Sequence, residues 1–447
     1  MRIWRKRAAE AALVLCAMPV AAQDTLLLSD AIAMALANEH GIRIARNDAA
    51  VADAFATAGN ASMLPRLDLT GRANYNNQFT RLDFIPGIAD VEQNNVESTL
   101  LTGTLGLTYT LFNGRANALA FEGAKLDADL ADLGVRVRVE STLSQVIALY
   151  YALAGLHQDV AITTRLLEIS QDRYRRLEDR AALGGAGRLD VLNALVDLRS
   201  DSATFVLAQQ RLQRTAQDLD VLLGRRPGAV IQVSRKLTFA DRLDQERLVS
   251  EAMARNVILL STATNLRVAQ VDAQRAKAFM WPRLDMNAGW TYTDQNFGVG
   301  VVLQNYNRGL NSGLGLSLPV FDGGRIRTQV EAARLRAENA QLAEDQARLS
   351  VERDVRNAYV TWAAQRQVQR IQNEAVGTAD LNFQRTSELF FAGQITGLQF
   401  RQAQLDLANA ERQSVVAGFD TKVAELVLLQ SSGGLLDAVG VGREGLR

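Results

Sequence analysis

The side chains best suited to catalysis or metal binding are scarce here: two histidines and one cysteine in 447 residues. His40 and His157 fall in separate helical segments. Neither has a metal-ligand partner at helical spacing, so both read as structural or surface residues. Cys16 lies near the N-terminus, which leaves no zinc or thiol site to expect, and no cofactor. Carboxylates are abundant, but on long helices they usually mark a solvated face. Gly184-Gly185-Ala186-Gly187 could suggest a phosphate loop. It lacks the following Gly-Lys-Ser/Thr and a preceding strand, so it reads as the end of a helix. Asn60-Ala61-Ser62 is a glycosylation sequon by pattern, in a helical context that argues against its use. No catalytic constellation emerges, and the chain is not read as an enzyme.

Lys+Arg and Asp+Glu both number 49, so there is no electrostatic footprint for nucleic acid. Aromatic residues make up 6% and prolines number six, a composition that favours long helices. Residues 1–22 read as a secretory signal. Arg2, Arg5, Lys6 and Arg7 precede the apolar run Ala11 to Val20, and Val20-Ala21-Ala22 offers small residues before a cut at Gln23. Bulky Leu15 before Cys16 argues against a lipoprotein signal. Every later long segment carries charges, so no transmembrane helix is expected.

The elements that place these residues come twice. A shift of 209 positions carries Leu105-Gly106-Leu107 onto Leu314-Gly315-Leu316, Phe112 onto Phe321, Gly184 onto Gly393 and Gly224 onto Gly433. A slightly different shift carries Pro65-Arg66-Leu67-Asp68 onto Pro282-Arg283-Leu284-Asp285. Such a period is far too long for a solenoid unit. The chain divides into a first repeat, 23–224, a linking segment, 225–247, a second repeat, 248–433, and a tail, 434–447.

Four segments alternate apolar and polar residues with period two, at about 66–77, 101–112, 283–293 and 310–321. This is the pattern of strands with one apolar and one polar face. A half-buried antiparallel sheet fits it. A membrane β-barrel wall also fits, because each segment is long enough to cross hydrocarbon when tilted. Tyr75, Tyr109, Trp290 and Tyr292 then sit on the apolar faces as interfacial aromatics facing outer-membrane lipid. Four strands cannot close a barrel, and open edges are not tolerated in lipid, so the membrane reading requires a homo-oligomer.

After each strand pair, Asn113 or Asp322 is placed to cap a helix. About 70 proline-free residues follow, roughly 100 Å of helix. Val146, Leu149, Leu153, Leu156 and Val160 step by three and four, and Leu335, Leu342 and Leu349 by seven. Both helices end at glycine, with hairpin tips at about 184–188 and 393–397. Return helices follow. Each repeat opens with one further helix, Ala31 to Met63 or Leu248 to Met280. A periplasmic coiled-coil scaffold is the alternative use of such helices.

Taken in order, these features resemble the TolC family of outer-membrane efflux proteins. The motifs that carry the resemblance are Leu64-Pro65-Arg66-Leu67 with Trp281-Pro282-Arg283-Leu284, and Leu111-Phe112-Asn113-Gly114 with Val320-Phe321-Asp322-Gly323-Gly324. The tip segments around Gly184 and Gly393 complete the set. The resemblance implies a mainly α, duplicated TolC-like fold. Three copies would build a twelve-stranded β-barrel continued by a long α-helical periplasmic barrel. It implies the outer membrane of a Gram-negative bacterium, with a large periplasmic part. The function implied is passive efflux or type I secretion, and the partners are a periplasmic adaptor and an inner-membrane transporter. Leu183-Gly184-Gly185 and Ala392-Gly393-Gln394 stand at the positions of the family's adaptor-docking triplet, keeping its glycine while the neighbours differ. In well-known members aspartates ring the entrance. Their counterparts here are Gln399 and Gln402, while the first repeat has Asp190 with Asn193, and Glu388 lies just above the second tip.

Overall fold

The computed structural model describes residues 25–83, 86, 90–228, 232–234, 239–240, 242–299 and 302–440. The expected signal segment with Cys16 lies outside them, as do residues 229–231, 235–238 and 241 of the linking segment and residues 441–447. The elements in chain order are α1 (Leu28–Asn38), α2 (His40–Phe55), β1 (Arg66–Leu82), β2 (Val91–Phe112), α3 (Ala116–Ala182) and α4 (Arg188–Leu222). They continue with α5 (Gln245–Arg255), α6 (Val257–Ala278), β3 (Arg283–Asn296), β4 (Gln304–Ser317), α7 (Arg325–Phe391), α8 (Gly397–Ser431) and α9 (Leu435–Val439). The contacts divide them into two compact units. One comprises Met1–Asn38, Gln145–Thr238 and Gln369–Phe419. The other comprises Glu39–Ser144, Phe239–Val368 and Asp420–Arg447.

The second unit holds the sheet, antiparallel throughout, in the order β1-β2-β3-β4. Its register gathers the alternating residues into rows. Leu69, Leu105, Trp290 and Leu310 form a row on one face, and Thr70, Thr104, Thr291 and Gly309 form a row on the other. Thr104 and Thr291 hydroxyls lie 3.3 Å apart across the strands. The strands depart from the expected bounds. β1 and β2 run on to Leu82 and back to Val91, because the polar stretches beyond the apolar band still pair as a ribbon. β4 begins earlier, at Gln304, and stops at Ser317, one residue before Leu318-Pro319. Proline has no N–H for a ladder, and the residue before it is restricted as well.

Each opening helix is broken in two, where one had been expected. At Glu39 the backbone is extended, and its carboxylate accepts from Ile42 N at 2.6 Å, capping α2. Arg138 donates to the same carboxylate at 3.1 Å. Burial works to raise the Glu39 pKa. The N–H groups of Gly41 and Ile42 and the Arg138 guanidinium outweigh it and hold the carboxyl below its ordinary value. Asn256 makes the corresponding break between α5 and α6, accepting from Ile258 N at 2.9 Å and donating to Ser431 O at 2.8 Å. The offset between the two breaks is the one that carries Pro65 onto Pro282.

Asn113 and Asp322 cap from two residues further out than an ordinary N-cap, accepting from Asn117 N at 3.4 Å and Ile326 N at 2.9 Å. Val146 and Leu153 are fully buried, whereas Leu335, Leu342 and Leu349 are 48%, 60% and 72% exposed. That second stripe has no cover within its own chain. α3 contains a stretch apolar enough to cross a membrane, contrary to expectation, but 44% of it is buried by the chain's own packing. In the tail α9 forms, with Leu435 and Leu436 buried.

In the sheet-bearing unit Leu248, Leu259, Val351, Val355, Trp362 and Leu428 form one cluster. In the other, Ile162, Leu166 and Ala408 form a second.

Candidate functional site at the hairpin tips

Both hairpin tips lie in the first unit, and both are built the same way. Gly184 donates to Ala181 O at 3.0 Å, and Gly185 to Arg180 O at 2.8 Å. Gly393 donates to Phe390 O at 3.0 Å, and Gln394 to Leu389 O at 2.9 Å. This is the Schellman arrangement that satisfies the last carbonyls of a helix. It needs a left-handed residue, and Gly184 and Gly393 have φ of +76° and +74°. The space around both is open, so conformation, not crowding, calls for glycine.

The two tips share a cleft of about 610 Å³. Gly185, Asp190 and Asn193 line it from the first repeat, and Gly393, Thr396 and Leu398 from the second. Leu183, Gly184, Glu388, Ala392, Gln394, Gln399 and Gln402 lie outside the lining. The polar candidates differ in what they are free to do. Gln399 closes a capping box at the start of α8. Its Oε1 accepts from Thr396 N at 3.0 Å, and its own N–H reaches Thr396 Oγ1 at 3.3 Å. Gln402 donates to Asp406 at 2.8 Å, and Arg385 donates to Glu388 at 3.1 Å. The Asp190 side chain is exposed in the first turn of α4 and has no hydrogen-bond or ion-pair partner among the described residues. Its position suits a carboxylate near a helix N-terminus.

Apolar side chains crown the tips. Leu183 is 89% exposed, Leu398 78% and Leu189 69%. Beneath the cleft lies a polar cluster that the sequence reading missed. Arg401 of α8 makes a bidentate pair with Asp201 of α4, at 2.7 and 2.8 Å. Ser170 of α3 donates to the same carboxylate at 2.5 Å. Gln404 donates to Ser170 Oγ at 3.1 Å and to Leu166 O at 3.2 Å. Arg173 holds Asp197 at 2.8 Å. Asp201, Ser170 and Gln404 are all at most 3% exposed. Burial works to lower the Arg401 pKa, but the Asp201 and Asp197 carboxylates raise it overall, so the guanidinium stays charged. The signal was available in the comparison of repeats. Asp201 aligns with Ala410, Ser170 with Ala379, Arg401 with Leu192 and Gln404 with Leu195.

The four aromatic candidates lie in the sheet of the other unit. Tyr75 and Trp290 are exposed, and Tyr109 and Tyr292 are half-buried. The Tyr292 ring meets Tyr306 edge-on at 5.2 Å.

A sheet with one apolar face, open at both edges, and two matched helical hairpins define the outer-membrane channel class, in which a membrane β-barrel continues into a helical periplasmic tunnel. The outer membrane efflux protein family profile matches residues 31–225 and 248–434, and the chain belongs to that family. It is 23% identical to protein CyaE of Bordetella pertussis over 423 residues, covering 94% of this chain and 86% of CyaE. It is 25% identical to the pyoverdine export outer membrane protein OpmQ of Pseudomonas aeruginosa over 428 residues, covering 94% and 87%. The crystal structure of the outer membrane protein VceC from Vibrio cholerae superposes with a TM-score of 0.74 at 20% identity, covering 91% of this chain and 96% of VceC. The protein is therefore an outer-membrane channel protein with a periplasmic tunnel, not an enzyme.

Proposed function

We propose that this chain is the passive outer-membrane duct of a tripartite efflux or type I secretion system. Three copies close a twelve-stranded barrel, and a periplasmic adaptor docked at the hairpin tips links the duct to an inner-membrane transporter. The observation that carries the docking is the set of bare leucines, Leu183, Leu189 and Leu398, around the matched tip glycines. Exposed apolar groups clustered on a water-facing tip mark an interaction surface. The trimer is supported by the free edges of β1 and β4, which lipid does not tolerate. Within the tip cleft Asp190 is the entrance group, because Gln399, Gln402 and Glu388 already have partners.

Both assignments are tested with the whole chain. Leu183→Asp combined with Leu398→Asp should abolish export while leaving membrane insertion and single-channel conductance intact. Normal export by that variant would reject tip docking. Asp190→Ala should lower cation selectivity in planar bilayers without altering assembly. Unchanged selectivity would place Asp190 off the conduction path.

A further inference from the structure

The polar face of the sheet carries few charges, and all but one are matched. Across the four-stranded span they are Arg66, Asp68 and Arg72 of β1 and Arg283 and Asp285 of β3. Arg66 holds Asp68 at 2.8 Å, and Arg283 holds Asp285 at 2.7 Å. Arg72 is exposed and has no ion-pair partner among the described residues. Opposite it on β2 stands Thr102, with Leu100 and Thr104 on either side along the same face. The polar face of β4, from Asn305 to Ser317, consists of asparagine, glycine and serine only. When β4 of one copy pairs with β1 of the next, it therefore brings no carboxylate to Arg72 in any register. The shift that carries Pro65 onto Pro282 puts Gly289 in the place of Arg72. The charge thus occurs once per chain, not once per repeat.

We propose that Arg72 of each copy forms a ring of three guanidinium groups in the bore of the barrel, and that this ring makes the membrane segment of the duct select anions. The inference rests on the reading of three chains as a closed barrel, whose polar face lines the bore. Tyr75 lies three residues outward on the other face. At about 3.3 Å per residue and a tilt of about 40°, Arg72 stands about 8 Å inside the level of that aromatic. The wall there is backed by lipid, and a low-dielectric wall focuses the field of its charges into the bore. Twelve strands about 4.8 Å apart and tilted about 40° close a ring about 24 Å across. An arginine reaching inward from that wall comes within one screening length of the axis, about 8 Å at physiological salt. Every ion that passes therefore meets the field of three cations that cannot be deprotonated. Small organic anions are drawn through such a ring and cations are retarded. Asp190 at the tips has the opposite sign, so the selectivity of the whole duct is the balance of the two.

Planar-bilayer recordings across a steep gradient of potassium chloride test this with the whole chain carrying Asp190→Ala, which removes the opposing group at the tips. With Arg72 in place, the reversal potential should have the sign of anion preference. Arg72→Glu should reverse that sign, and Arg72→Lys should retain it. The difference should fade when the mean salt is raised to about 1 M, where the screening length falls to about 3 Å. If pores form and all three chains share one reversal potential, Arg72 does not act on the bore and the ring is overturned. If the difference survives at high salt, the substitution has reshaped the pore instead, and the ring is overturned as well. If none of the chains forms pores, the barrel reading itself falls and the ring with it.

Discussion

Arg401→Ala should destabilise the tip unit by about 3–5 kcal/mol, the cost of stranding a buried charge without its partner. Asp201 is 3% exposed and receives both arms of the Arg401 fork. Ser170 and Gln404 would remain, but two neutral groups do not neutralise a carboxylate. The double variant Arg401→Leu with Asp201→Ala should recover most of the loss, because an apolar replacement of a buried pair is often close to neutral. Those residue types already occupy the corresponding places in the other repeat, Leu192 and Ala410. Hydrogen exchange at the amides of α4 and α8 near the tip would read both effects. A small loss in the single variant, or no recovery in the double, would show that the network is incidental to tip stability.

Leu342→Glu with Leu349→Glu should leave a folded chain that no longer assembles. Both side chains are exposed on one stripe of α7, so their replacement costs the isolated chain little. A leucine buried at an interface contributes about 1.5–3 kcal/mol. A closed ring repeats that loss at every seam, and each glutamate adds the cost of a buried charge. Light scattering in detergent should report a monomer in place of the proposed trimer, with circular dichroism unchanged. A variant that remains trimeric would place the seam elsewhere on the helices.

Much of this architecture was legible because periodicity is imposed by whatever surrounds the chain. The alternation in Leu67 to Tyr75 and in Leu284 to Tyr292 is written by lipid on one side and water on the other. Where both sides are water the alternation ends, which is why Gln78 to Leu82 and Val91 to Leu100 fall outside the expected strands although they pair as strands. The breaks at Glu39 and Asn256 were hidden for a different reason. No proline stands at either, and only the side-chain caps reveal that the backbone turns extended there. At the tips, glycine announced the turn, but the capping role of Gln399 and the burial of Arg401 did not show. Charge on a long helix is ordinarily solvated, and nothing local distinguishes the arginine that has turned inward. Only its mismatch with Leu192 in the other repeat carries that information.

The β1–β2 ribbon beyond the sheet separates two tasks that one strand would otherwise combine. From Val91 to Ser98, β2 pairs with β1 alone, while β3 first meets β2 at Thr99. Apart from Val96 and Glu97, which pack against Gly298 beyond β3, substitutions in that outer stretch leave the pairing of β2 with β3 untouched. The chain can change the face it shows to its surroundings, to antibodies or to anything else that binds at the surface, while the bore of the pore stays fixed.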